Sequence, residues 1–164
     1  MQIRTCGAQD LAAIFAIVND AAQAYKGIIP GDRWHDPYMP LEELEQQIRD
    51  GVRFFGVESG GELAGVMGIQ DRGPVTLIRH AYVRTSQRRK GIGEKLLKHL
   101  EAMTEKPILI GTWTAATWAV GFYEKNGYRI LPRAEIDRLL RTYWSIPERQ
   151  IETSVVLANA KWRP

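Results

Sequence analysis

Hydrophobic residues in the first part of the chain recur at an extended spacing and then at a helical one. Ile3 lies in a short stretch that predicts a first strand. Between residues 9 and 24 apolar side chains return every three or four positions, as on one face of an amphipathic helix. A strand followed by a helix is therefore predicted to open the chain. The apolar residues of this helix are Leu11, Ile14, Phe15 and Val18.

Residues 25–40 interrupt the helical pattern. Three prolines and two glycines are mixed here with aromatic and charged residues, so the segment is predicted to be an irregular loop. Pro40 suits the start of a second helix, in which the apolar residues share one face and glutamates lie near the N-terminus. This helix is predicted to end at Gly51, and the apolar residues of the helix are Leu41, Leu44 and Ile48.

Extended patterns dominate residues 54–83. Residues 54–57 and 63–69 are predicted to form a hairpin around the glycine-rich turn at residues 59–61. Residues 75–83 carry apolar side chains at both odd and even positions, as a strand covered on both faces does. This strand is therefore predicted to lie in the middle of a sheet.

The second half of the chain alternates helices with strands. Short β-branched runs predict the strands, and longer amphipathic runs predict the helices. Asn126 and Gly127 end the second of these helices. The predicted order is helix 94–103, strand 108–113, helix 115–125, strand 128–131, helix 134–140 and strand 151–157.

Composition indicates an ordinary globular protein of one domain, residues 1–164. Hydrophobic residues make up 45% of the chain, and the net charge of +3 could help to hold an anion but falls short of a nucleic-acid-binding signature. Cys6 is the only cysteine, so no intramolecular disulfide is expected. The sequence shows neither a signal peptide nor a membrane-spanning run, and we expect a cytoplasmic protein without a membrane partner.

Residues 88–93, called the phosphate loop below, join the predicted central strand to the helix after it. Gly91 and Gly93 allow a tight turn in which several backbone N–H groups point at one spot beside the positive end of a helix. Such a spot suits a phosphate, and three neighbouring cations add positive charge. The alternative is a basic turn without a ligand. The helix is expected to hold Ile92, Leu96, Leu97, Leu100 and Met103 on one face.

The phosphate loop matches Arg/Gln-x-x-Gly-x-Gly/Ala and, with Ile78–Val83 before it, resembles the acyl-CoA pyrophosphate loop of the GNAT acetyltransferase superfamily. Residues 119–128 resemble a second segment of that family, Ala-x-x-φ-Tyr-x-Lys-x-Gly-Phe, where φ is apolar, with Tyr128 at the last position. The resemblance spans nearly the whole chain. It implies the GNAT fold, an α+β fold whose mixed, mostly antiparallel sheet of about six to seven strands is flanked by helices.

The resemblance also implies an activity, the direct transfer of an acetyl group from acetyl-CoA to a primary amine. Tyr123 is then the general acid that protonates the departing thiolate, and the N–H of Val83 polarises the thioester carbonyl. A core tyrosine and a buried strand residue are the alternatives for these two positions. Cofactor contacts are implied for Val83, Arg88, Arg89, Lys90, Gly91, Ile92, Gly93, Glu94, Ala119 and Tyr123.

The general base is harder to identify. Leu77 stands where some relatives carry a carboxylate, and His80 is a possible substitute because its natural pKa is close to neutrality. Strand alternation places His80 on the side opposite Leu77 and Arg79, so a structural histidine and a water chain without a single base are the alternatives. Arg79 suits the binding of an anion.

The remaining candidates concern cofactor and acceptor recognition. The family's frequent asparagine is Ala116 here, and Thr114 or Thr117 could replace its cofactor contact. Residues 25–38 and 132–150 are expected to select the acceptor, because irregular segments vary most on a fixed scaffold. Trp113 and Trp118 flank Ala116 and could line a pantetheine tunnel or an aromatic acceptor pocket, with core packing as the alternative, and Trp144 lies in the second of the two segments. The acceptor-binding candidates are Tyr25, Trp34, Arg79, Trp113 and Tyr143.

We therefore expect an N-acetyltransferase with acetyl-CoA as co-substrate, a small-molecule or peptide amine as acceptor, and no metal or nucleic acid. His35 and Asp36 are adjacent polar residues but do not form a metal ligand set. A non-catalytic acyl-CoA-binding module is the alternative. A nucleotide-phosphate binder is weaker, because no Ser or Thr follows the loop to bind Mg²⁺. A homodimer is possible.

Overall fold

The computed structural model describes every residue from Met1 to Pro164. Seven strands form one sheet, and six α-helices lie between them in the chain. The strands are β1 (Gln2–Thr5), β2 (Arg53–Ser59), β3 (Glu62–Arg72), β4 (Val75–Val83), β5 (Ile108–Trp113), β6 (Arg129–Ile130) and β7 (Ser154–Ala158). The helices are α1 (Leu11–Ala21), α2 (Leu41–Arg49), α3 (Ile92–Glu101), α4 (Thr117–Lys125), α5 (Arg133–Tyr143) and α6 (Glu148–Glu152).

The strand order is β1-β2-β3-β4-β5-β7-β6. The pairs β1/β2, β2/β3, β5/β7 and β6/β7 are antiparallel. β4 and β5 are neighbours that the chain joins through α3, the type of connection that parallel strands require. The sheet is therefore mixed and mostly antiparallel, as expected, and β4 is its central strand, which confirms that prediction.

The chain forms two compact units. The first unit comprises Met1–Ala24, His35–Asp71 and Ile78–Glu105. Its core brings apolar side chains of α1 and α2 together with those of β2 and β3. α3 packs against β2 in the same unit. The core residues are Ile14, Ile17, Val18, Met39, Leu44, Val52, Phe54, Leu63 and Val66.

The second unit comprises Tyr25–Trp34, Arg72–Leu77 and Lys106–Pro164. α5 and α6 pack against β7, and α4 packs against β6. Both units consist of three segments that are separated in sequence, so a single domain over residues 1–164 remains our prediction. None of the six helices combines the length and the apolar composition that a membrane span requires. Buried residues of the second unit include Leu109, Ile110, Leu139, Leu140, Val156 and Leu157.

The predicted last strand and the helix after the phosphate loop need correction. The last strand begins at Ser154 instead of Ile151, because Glu148–Glu152 forms α6. Pro147 precedes this helix, and the Glu, Arg and Gln that follow have high helix propensity, so Ile151 is buried from a helix and not from a strand. α3 ends at Glu101, and Met103, predicted to lie on its apolar face, is beyond the helix and 39% exposed.

Candidate functional site

The backbone of the phosphate loop makes the tight reversal that its glycines predict. Arg89 has a φ of 65° and Gly91 a φ of 76°, both in the left-handed region. Alternation of conformations in a turn directs successive N–H groups toward one side. Gly91 immediately precedes α3, whose first turn has no side-chain cap. The loop and the helix end therefore present backbone donors of the kind that bind an anion.

The side chains of the loop add to this positive potential. Arg88, Arg89 and Lys90 are exposed, and Lys90 Nζ donates a hydrogen bond of 2.8 Å to Oε1 of Gln87. Glu94, also exposed, lies in the first turn of α3, where the helix dipole favours a carboxylate. The charges that face solvent here are thus mostly positive.

Gly65 allows α3 to approach the sheet closely. A Cβ atom on Gly65 would lie 2.8 Å from Cγ2 of Ile92 and 3.2 Å from Cγ2 of Val83. Any larger residue in this position of β3 would displace either the first residue of α3 or the last residue of β4. The sequence reasoning missed Gly65, although an isolated glycine within a strand often marks such an approach.

The chain is fixed where β4 ends. Val83 is half-buried, and the next N–H, that of Arg84, donates a hydrogen bond of 2.8 Å to the carbonyl of Ala64. Arg84 Nε donates a second bond of 2.8 Å to the carbonyl of Leu63. The polarising role of the Val83 N–H stays a prediction.

Tyr123 lies on α4 in the second unit and is buried. Its ring meets Phe122 and Tyr128 edge-on, at centroid distances of 5.3 and 6.1 Å. Burial, with a smaller contribution from Tyr25, raises the pKa of the Tyr123 phenol well above its ordinary value. The phenol is therefore protonated at neutral pH, as a general acid must be.

Tyr25 lies against the start of the same helix. Its ring stacks on that of Trp118, with centroids 6.0 Å apart and planes at 28°. Trp118 is 47% exposed, so the core role considered for it is wrong, whereas Trp113 is buried. Ala119 is half-buried, and Ala116 is fully buried at the helix start, where its carbonyl accepts the N–H groups of Ala119 and Val120.

His80 lies in the first unit at an irregular position of β4. Its φ of 55° is left-handed, so side-chain alternation cannot be counted through it as through a regular strand. The imidazole lies between the rings of Phe54 and Tyr82, at 6.0 and 6.4 Å, and its Nε2 contacts Oε1 of Gln47 on α2. The residue as a whole is half-buried. Burial and, to a smaller extent, Arg79 lower the pKa of His80 to about 3.

This pKa makes His80 a weak base, and its role stays a hypothesis. Arg79 itself is half-buried, and its Nη1 donates a hydrogen bond of 3.2 Å to the buried Gln70. Gln70 in turn donates to the carbonyl of Asp50 at the end of α2. Leu77 is fully buried.

The acceptor candidates divide between the two units. Arg79 lies in the first unit, and Tyr25, Trp34, Trp113 and Tyr143 lie in the second. Trp34 and Tyr143 are half-buried. The indole of Trp144 covers Gly111 of β5, where an added Cβ would lie 3.2 Å from its ring carbons.

The cofactor candidates are divided in the same way. The first unit holds Val83, the phosphate loop and Glu94, while the second unit holds Ala119 and Tyr123. His35 Nδ1 lies 2.7 Å from the carbonyl oxygen of Pro37. His, Cys, Asp and Glu residues do not gather anywhere in groups of three that could hold a metal ion.

Comparison with known proteins adds a family and a set of folds. The acetyltransferase (GNAT) domain family matches residues 16–138. No curated protein matches the sequence significantly. Among solved structures, the PaiA N-acetyltransferase from Thermoplasma acidophilum in complex with coenzyme A is 16% identical, with a TM-score of 0.68 over 98% of both chains.

Two other structures are similar to the same extent. An acetyltransferase of the GNAT family from Staphylococcus aureus Mu50 is 18% identical, with a TM-score of 0.70 over 96% of this chain and 97% of that one. The ribosomal-protein-S18-alanine N-acetyltransferase from Escherichia coli is 15% identical, with a TM-score of 0.69 over 99% of this chain and 95% of that one. At these identities the likeness concerns the fold.

Proposed function

Because the chain belongs to the GNAT acetyltransferase family, we propose that it transfers an acetyl group directly from coenzyme A to a primary amine. The observation that carries the proposal is the phosphate loop, in which two left-handed residues and three exposed cations precede the N-terminus of α3. These groups fit a diphosphate, since N–H donors and cations both favour its charge. That a similar fold was solved with coenzyme A is consistent with this choice of carrier.

Coenzyme A supplies the acetyl thioester, whose carbonyl carbon the amine attacks and whose thiolate departs. In our proposal the N–H groups of the phosphate loop hold the diphosphate, and the N–H of Val83 donates to the thioester oxygen. Tyr123 gives its proton to the sulfur as the carbon–sulfur bond breaks. Ala119 precedes Tyr123 by one helical turn, and its small side chain leaves room beside the phenol.

The amine must lose a proton before or during its attack. With a pKa of about 3, His80 would hold that proton poorly at neutral pH, and no carboxylate occupies the position of Leu77. We therefore favour release of the proton to water, with His80 kept as the competing hypothesis. A small-molecule or peptide amine is the proposed acceptor class. The E. coli structural neighbour is named for acetylation of an alanine of a ribosomal protein, an example of the peptide alternative.

The experiment that tests the proposal measures thiol release from acetyl-CoA over a panel of amines, amino acids, polyamines and peptides. Acetylation of one acceptor, confirmed by a mass increase of one acetyl group, would support it. Calorimetry with coenzyme A alone accompanies the assay. Failure to bind coenzyme A would contradict the proposed role of the loop.

A non-catalytic acyl-CoA-binding module remains the second candidate function. The low pKa of His80 and the raised pKa of Tyr123 favour it, because both groups exchange protons less readily than in water. Tight binding of acetyl-CoA without thiol release for any amine of the panel would select this candidate.

A further inference from the structure

Asp20 connects α1 to the turn that leads into the phosphate loop. Its Oδ2 accepts a hydrogen bond of 2.7 Å from the backbone N–H of Thr85 and another of 3.0 Å from the hydroxyl of the same residue. The two residues are 65 positions apart in sequence, so the contact exists only in the folded chain. Both belong to the first unit.

The location of Asp20 is unfavourable for a carboxylate if α1 alone is considered. It is the residue before the last of α1, where the negative end of the helix dipole opposes an anion. The 3-10 turn Thr85–Gln87, however, begins without a side-chain cap from Arg84. Asp20 supplies that cap from another element, as Asp does at helix starts.

The phosphate loop is held by Arg84 and Thr85 on one side and by Ile92 on the other. Before it, the backbone and side chain of Arg84 bind carbonyls of β3. After the loop, Ile92 is buried and its side chain lies in the space that Gly65 leaves open. The exposed residues 88–91 lie between these fixed ends, and Thr85, together with Arg84, fixes the end at which the chain enters the loop.

We propose that Asp20 is a positioning residue for the diphosphate of coenzyme A and that it acts through Thr85. This inference rests on the proposed function of the phosphate loop. A loop that is ordered before the ligand arrives loses less entropy on binding, which raises affinity. The charge of Asp20 has the opposite effect, because a carboxylate repels a diphosphate. Geometry and charge can therefore be separated experimentally.

The test compares Asp20→Ala with Asp20→Asn, using calorimetry with coenzyme A and with inorganic diphosphate. Asp20→Ala loses both hydrogen bonds, and we expect the Kd of each ligand to rise about five- to tenfold. Asp20→Asn keeps an oxygen that accepts both bonds, and its Kd should stay within about twofold of the wild type. Asp50→Ala is the matched control, since this exposed carboxylate accepts from Gln46 and is not bonded to the loop.

Wild-type affinity in Asp20→Ala would overturn the inference. The inference would also be overturned if Asp20→Ala and Asp20→Asn lost affinity to the same extent and melted at equally lowered temperatures, because that result indicates general destabilisation. Gly91→Leu tests the proposed function separately, with Gly60→Leu as control because Gly60 also has a left-handed φ, of 63°, and open space around it. If Gly91→Leu binds coenzyme A normally, the loop assignment is refuted. If Gly91→Leu loses binding while Asp20→Ala binds normally, only the role of Asp20 is refuted.

Discussion

Tyr123 holds its proton more tightly than a phenol in water, whose pKa is about 10. The departing thiol has a pKa of about 8.5, so complete transfer from Tyr123 to a free thiolate would run against the pKa difference. In our proposal the proton therefore moves while charge develops on sulfur, when the carbon–sulfur bond is already weakened. The raised pKa keeps the acid protonated across the whole neutral range.

Tyr123→Phe should lower kcat by about 100-fold, a loss typical for removal of a general acid, and leave the Kd for acetyl-CoA within about twofold. Thiol release under saturating acetyl-CoA gives the first quantity, and calorimetry gives the second. Tyr128→Phe is the matched control, because Tyr128 is buried beside Tyr123 but has no proposed role. A Tyr123→Phe enzyme with the kcat of the wild type would refute the acid role.

His80 affects stability whether or not it affects catalysis. Its pKa of about 3 in the folded protein lies below the value of about 6.5 expected for the unfolded chain. Below pH 6.5 the unfolded state gains a proton that the folded state does not take up. The stabilisation from a neutral His80 is therefore complete above pH 6.5 and is lost as the pH falls toward 3.

Between pH 7.5 and pH 5, the free energy of unfolding of the wild type should fall about 1–2 kcal/mol more than that of His80→Asn. Asparagine suits the test because it tolerates the left-handed φ and does not titrate. Urea unfolding at both pH values measures the difference. Equal pH dependence in wild type and His80→Asn would contradict a buried neutral imidazole. Full activity of His80→Asn would also remove it as the base.

Residues whose role depends on the local chain can be recognised from the sequence, whereas residues whose role depends on distant contacts cannot. Gly91 and the cations beside it are recognisable because a tight turn needs glycine locally. Asp20 and Gln47 contact Thr85 and His80 across 65 and 33 positions, and such contacts leave no local pattern. Side-chain alternation holds only in a regular strand, and the φ of 55° at His80 interrupts β4.

At the scale of elements, the start of α3 depends on a glycine of another element. Gly65→Ala would place a Cβ 2.8 Å from Ile92, so we expect α3 to shift, the stability to fall by about 1–3 kcal/mol and the affinity for coenzyme A to decrease. Gly68→Ala on the same strand would place a Cβ 2.8 Å from Val52 instead. It should be similarly destabilised but keep its affinity for coenzyme A. If calorimetry gave the two variants equal affinities for coenzyme A, the position of α3 would have no influence on coenzyme A binding.

Helices and strands are predicted well where the spacing of apolar residues and the positions of turn-forming residues agree. β4 and β5 have the predicted bounds, and each is preceded by turn-forming residues, Gly73 and Pro74 before β4 and Pro107 before β5. α6 was missed because one turn of helix buries few side chains, and Ile151 fits an alternating strand as well as a helix. The 3-10 turns at either end of α1 account for the longer helix predicted there.

At the scale of the whole molecule, each of the two compact units is made of segments that are separated in sequence. β4 contributes Val75–Leu77 to the second unit and its remaining residues to the first. Neither unit can be cut from the chain as one continuous piece. Independent folding of either unit would need segments far apart in sequence to close without the segments between them, at an entropic cost.

The intact protein should therefore unfold in one calorimetric transition, with an enthalpy of roughly 115 kcal/mol near 60 °C that equals the van't Hoff value. Coenzyme A at about 100 times its Kd should add about 2.7 kcal/mol of stability and move the whole transition upward by about 5–10 °C. Gly91→Leu should unfold in the same single transition without the shift. Two transitions, only one of which moves to higher temperature with coenzyme A, would show that the chain contains two separately stable units. That result would contradict the single domain, because a ligand raises the unfolding temperature of every part of one cooperative structure equally.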